Sequence, residues 1–164
     1  MRDELRIGET VAWKALRVAG PPAIPRLFSF NHSRPMVERC WPTGQWFRAR
    51  CSSKHARPES DDPIPGSACQ CGVYAAVSWK ELVNQNYAED GMAIVVAKVA
   101  LAGRIQPGEK AHRASRARIL ELFVPYEHWR WAAPLGAAYG VPVSLARMSR
   151  PVDLEEAAVG HGDS

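Results

Sequence analysis

The chain has 164 residues, a length that suits one domain and is tight for two. Its 46% hydrophobic and 23% charged content is ordinary for a globular protein and excludes a fibrous or wholly disordered chain. The formal charge of +4 and pI near 9.0 permit contact with phosphate without requiring it. No run of about 18 apolar residues is present to form a membrane-spanning helix.

Two residue types are in excess. The 13 prolines are about 8% of the chain, against roughly 5% in average proteins. There are also 6 tryptophans beside only 4 tyrosines and 4 phenylalanines. Each proline removes a backbone donor and limits helix length, so the composition argues against a helix bundle and for short elements joined by fixed turns.

In chain order, residues 1–10 are a polar lead-in without an apolar core, so they do not read as a secretory signal, and a cytoplasmic setting with reduced cysteines is expected. Residues 11–18 (VAWKALRV) suit a strand or a short helix. The run GPPAIP, 20–25, sets a turn. Residues 26–30 (RLFSF) read as a short strand, 31–45 as turn-rich chain, and 46–51 (WFRARC) as a strand ending at Cys51. Residues 52–67 are polar and rich in Pro, Asp and Ser, a long exposed loop of the kind that is functional or tied down. Residues 73–87 (VYAAVSWKELVNQNY) carry an approximate helical apolar stripe and are expected to form the main helix. The β-branched run 92–101 (MAIVVAKVAL) predicts a buried central strand. After the turn Gln106-Pro107-Gly108, residues 112–124 (HRASRARILELFV) have helix formers but also strand-like apolar content. They are expected to pair back on 92–101 as a strand. Residues 134–139 suggest a short helix, 141–143 a final extended piece, and 151–164 a disordered acidic tail. No internal repeat is present. The expected architecture is one α+β domain over residues 1–150: a small, mostly antiparallel sheet or partial barrel against one main helix.

All four cysteines fall between residues 40 and 71. The spacing Cys51-x3-His55-x13-Cys69-x-Cys71 offers two ligand pairs at the ends of the long loop, which is how a tetrahedral zinc is usually held. Gly72 lets the chain turn after Cys71, and a helix starting near Val73 would favour a Cys71 thiolate. Cys40, His32 and His112 are alternative ligands. A C-x-C bite is less usual than C-x2-C, and the same thiols also suit burial as small hydrophobes or a reactive Cys71. Four protein ligands would make the zinc structural, whereas an open position would support hydrolysis.

A second feature is basic. Arg104, Lys110, Arg113, Arg116 and Arg118 face a single Glu109 within 104–118. On a strand, Arg116 and Arg118 share one face and Arg113 and Ser115 the other. Arginines near exposed aromatics suit a phosphate backbone or unstacked bases. A solvated face paired with acidic residues is the plainer reading. The cluster His128-Trp129-Arg130-Trp131 suits stacking or packing with arginine on indole. Glycine-rich phosphate loops, H-E-x-x-H, the nucleobase-deaminase signature and the Gly-x-Ser-x-Gly elbow are all absent.

The residues Trp41-Pro42, Ala49-Arg50-Cys51, His55 and Cys69-Gln70-Cys71-Gly72-Val73-Tyr74-Ala75 resemble a pattern in small actinobacterial and phage proteins of no assigned activity. Gly103-Arg104, His112-Arg113-Ala114 and Tyr139-Gly140-Val141-Pro142-Val143 fit the same pattern, so the resemblance spans roughly residues 11 to 145. It implies a bacterial cytoplasmic context and transfers no catalytic residue. The expected function is a zinc-stabilised module contacting nucleic acid or a protein partner. The competing expectation is a small enzyme using an open metal site, the Cys71 thiolate or a tryptophan-lined pocket.

Overall fold

The computed structural model describes residues 8–30, 36–50, 71–84 and 93–147. Its centre is a long hairpin. The β-branched run expected as a central strand extends beyond 101 to form β5, Ile94–Gln106, and the chain returns as β6, Ala111–Pro125. The pairing runs from Val96 opposite Phe123 to Gln106 opposite Arg113. Residues 112–124 are therefore strand, as their apolar content suggested. The hairpin carries a bulge between Ala102 and Ile105. Gly103 there has φ +77°, and a Cβ on it would collide with Ser115 Oγ. That hydroxyl accepts the Arg104 N–H at 2.9 Å and donates to the Ala102 carbonyl at 3.2 Å, which satisfies the backbone freed by the bulge.

The other strands join both edges of this hairpin. β1, Thr10–Ala19, lies antiparallel to β5, with Lys14 opposite Ala97. β2, Arg26–Phe28, pairs with the far edge of β1. The second edge of β6 takes β4, Val73–Ala76, then β3, Phe47–Arg48, and then β7, Val143–Ala146. β7 is parallel to β6 and every other named pairing is antiparallel. β4 also meets β1 through one pair, Trp13 opposite Ala76. The pairings β1–β5–β6–β4–β1 thus return to their start, and the sheet curls round on itself. The expectation of a mostly antiparallel, mixed α and β domain holds at this level.

The expected main helix over 73–87 is corrected. Its first four residues are β4, and helix α2 covers only Trp79–Asn84. Val73 to Ala76 bond to the otherwise unpaired edge of β6, from Ala114 back to Ala111. Tertiary pairing overrides a weak helical stripe there, because Val and Tyr serve a strand at least as well. The helix starts at Ser78, whose Oγ accepts the Glu81 N–H at 3.2 Å. This is an N-cap with Glu at the third helical position. The longest described α-helix is instead α3, Ala132–Tyr139, which follows a 3-10 turn over Tyr126–Trp131 and ends on left-handed Gly140. A four-residue helix, α1, Met36–Arg39, lies in the stretch expected to be turn-rich chain.

Alternation along the strands builds two apolar layers. Inside the curled sheet, Ala12, Leu16, Val99, Leu101, Leu122 and Val124 pack with Leu135 and Tyr139 of α3. Outside it, Ala15, Ala76, Val96 and Phe123 are covered by Trp79 and Leu82 of α2. The tryptophans serve both layers. Trp41 is 1% exposed and stacks on Phe47 with ring centroids 4.6 Å apart, and its Nε1–H donates to Ser29 Oγ at 2.8 Å. Trp13 leans on Phe123 at 5.7 Å.

Candidate functional site

β1 is joined on its far edge by β4 at Trp13 and by β2 from Arg17 to Ala19. Between these joints, no described strand pairs with Lys14, Ala15 or Leu16 on that edge. The wall of the curled sheet is open there. A cleft of about 740 Å³ occupies the seam. Its walls come from Lys14 of β1, Ser29 and Phe30 beyond β2, Glu38, Arg39 and Cys40 at the end of α1, Gln45 to Arg50 around β3, and Gly72 to Tyr74 entering β4.

Lys14 shares the inward face with Ala12 and Leu16. Its Nζ donates to the Tyr74 carbonyl at 2.7 Å, so it spans the seam where a ladder hydrogen bond is missing. Burial of the ammonium lowers its pKa from 10.5 to about 8. Cys40 lies beside β2, bridged to Phe28, and its thiol makes only a long contact to the Trp41 carbonyl, at 3.9 Å. Burial pushes that thiol up, with Arg26 opposing, so Cys40 is a neutral thiol near pH 7 rather than a nucleophile.

The basic residues fall into two groups. Arg116 and Arg118 share a face, as strand alternation requires. Their guanidinium carbons lie 4.9 and 5.6 Å from the Trp46 ring centroid. Arg118 also binds Glu9, with Nη2 2.9 Å from Oε2. Arg104 and Lys110 are exposed towards the hairpin end, and Arg113 binds the Gln106 side chain there. Sequence reading missed Lys14, Arg48, Arg50 and Trp46 as site residues. In WFRAR the arginines alternate with Phe47 and Ala49, and that period-2 pattern was the available signal. Nothing local ties Trp46 to arginines some seventy positions on.

Of the proposed zinc ligands, Cys71 is described, whereas Cys51, His55 and Cys69 lie outside the described residues, as do the loop 52–67 and the alternative ligand His32. Cys71 is buried and precedes a strand, which corrects the expectation that a helix dipole activates its thiolate. Cys40 and Cys71, the two described cysteines, are not bonded to each other. His112 sits on β6 opposite Ala75, with Nδ1 buried and unbonded among the described residues. Among the described residues no three His, Cys, Asp or Glu side chains converge to hold a metal ion. The two ends of the intervening chain do meet, however. The Ala49 N–H bonds the Ser115 carbonyl at 2.9 Å, and Val73 lies opposite Ala114. The chain leaves β6 and rejoins it at neighbouring residues.

No described helix is long and apolar enough to cross a membrane. Comparison with family models, curated proteins and solved structures found no match to the chain.

Proposed function

We propose that the protein is a zinc-stabilised module that binds single-stranded nucleic acid across the face made by β3 and β6. The observation that carries this reading is Trp46 with two guanidinium groups within 6 Å of its ring, on the strand that also bears Arg48. An indole supplies a stacking platform for an unpaired base, and the arginines supply phosphate contacts. Arg104 and Lys110 stand exposed towards the hairpin end and add positive charge there. The zinc, held by Cys51, His55, Cys69 and Cys71, would clamp the chain between β3 and β4. Support for the clamp is the shared anchoring of both ends on β6, which closes the loop at its base and brings the flanks of the two ligand pairs together.

Fluorescence anisotropy with a labelled single-stranded oligonucleotide tests the reading. Each phosphate contact should steepen the salt dependence by about 0.7 in log–log slope. The Arg116→Ala, Arg118→Ala double variant should bind more weakly and with a shallower slope. Affinity that ignores salt would refute nucleic acid as the partner and favour a protein or a neutral small molecule.

A further inference from the structure

The open seam, which shares Trp46 and Arg48 with the outer face, has the properties of a ligand site. Its volume of about 740 Å³ is within the range that holds a small molecule. Among the described residues of its walls cations dominate: Lys14, Arg39, Arg48 and Arg50, against one carboxylate, Glu38. Lys14 is half-buried, on the same strand face as the fully buried Ala12 and Leu16. Buried ammonium groups in proteins are ordinarily paired with an anion, because desolvation of the charge is otherwise uncompensated. Among the described residues, the partner of Lys14 is a neutral backbone carbonyl, that of Tyr74. Among the described residues no carboxylate pairs with this side chain, and an anion would complement it. Phe30, Trp46 and Tyr74 add aromatic surface to the same cleft, so a ligand bearing both a planar ring and an acidic group matches both features.

We infer that the seam between β1 and β4 binds a small phosphate-bearing molecule of the nucleoside monophosphate class, with Lys14 as its phosphate contact. The Lys14 ammonium rotates from the Tyr74 carbonyl to the phosphate, the arginines at the rim supply further charge, and the ring lies against the aromatic wall. The inference does not depend on oligonucleotide binding at the outer face.

Isothermal titration with adenosine monophosphate as the probe, and with adenosine and inorganic phosphate as controls, tests it. The expected result is saturable binding of one nucleotide per chain with Kd below about 1 mM, and no binding of adenosine. Lys14→Met keeps the length of the side chain and removes its charge. It should weaken nucleotide binding by at least about tenfold, the usual consequence of losing a charge-assisted hydrogen bond. Circular dichroism of the same variant confirms that it is folded. A protection assay removes dependence on that variant: in the wild-type chain, saturating nucleotide should slow acetylation of Lys14, read by peptide mass spectrometry, several-fold more than acetylation of the exposed Lys80. The inference is overturned by no heat change at millimolar nucleotide, by equal affinity in folded Lys14→Met, or by no selective protection of Lys14. A chain that binds the labelled oligonucleotide but not the mononucleotide also overturns it while leaving the nucleic-acid reading standing. A chain that binds only the mononucleotide supports it and removes the other.

Discussion

The Tyr139 hydroxyl joins three separate parts of the chain, and its removal is a sharp test of how the core is held. Tyr139 is the last residue of α3 and is 5% exposed. Its oxygen accepts the Leu27 N–H at 2.8 Å and donates to the Trp41 carbonyl at 2.9 Å. Burial pushes the phenol above its usual pKa, so it remains a donor throughout the neutral range. Tyr139→Phe keeps the ring and its packing while leaving both backbone groups without this partner. Leu27 is fully buried, so water cannot replace the oxygen at its N–H. An unsatisfied buried donor costs about 1–3 kcal/mol, and the lost bond to the Trp41 carbonyl adds about 1 kcal/mol. A total of roughly 2–4 kcal/mol in a domain of this size lowers Tm by about 5–15 °C. Thermal and urea unfolding followed by tryptophan fluorescence measure the change. A loss of under about 1 °C would refute the reasoning, because it would mean that α3 is not pinned to β2 through this hydroxyl.

The remaining predictions concern the seam, the bulge and the clamp. Between pH 8 and 10.5 the unfolded chain retains a proton on Lys14 that the folded chain has released, so this residue makes stability rise with pH across that window, with a slope approaching 1.4 kcal/mol per pH unit. Below pH 8 both states are protonated and its contribution is flat. Lys14→Met should abolish this part of the pH dependence in urea titrations and raise stability at pH 7; an unchanged profile would contradict burial of the ammonium. Gly103→Ala places a Cβ against Ser115 Oγ at a φ of +77°, so it should cost about 1–3 kcal/mol. Because Ser115→Ala also removes the hydrogen bonds that satisfy the bulge, the comparison is a cycle: Gly103→Ala should cost less in the Ser115→Ala background than in the wild type, and an equal cost would show that the clash is not the cause. Chelator should lower Tm by several degrees and release about one zinc per chain if the Cys51, His55, Cys69, Cys71 clamp forms. Purified protein with less than about half a zinc, indifferent to chelator, removes the clamp.

The strands β5 and β6 were legible because their causes are local, whereas the sequence left β1 open between a strand and a short helix. Alternating or β-branched runs prefer extended backbone, and Gln106-Pro107-Gly108 turns the chain between them. The short helix ending at Gly140 was legible for the same reason, as was the common face of Arg116 and Arg118. The cysteine–histidine spacing was legible as chemistry, but three of its four residues lie outside the described chain. By contrast, VYAA carries no decisive local preference. It becomes β4 because β6 offers it an open edge, and the Ser78 side chain caps a helix that starts later than the apolar stripe suggests. Strand periodicity puts Lys14 on the face of Ala12 and Leu16, but only the return of β4 to β1 makes that face an interior and leaves a seam beside it. Trp46 and the arginines of β6 meet through sheet pairing between residues far apart in the chain, a contact that no local preference encodes. Backbone propensity and side-chain chemistry were thus set residue by residue, whereas the cleft and the charge facing it arise from how the sheet closes.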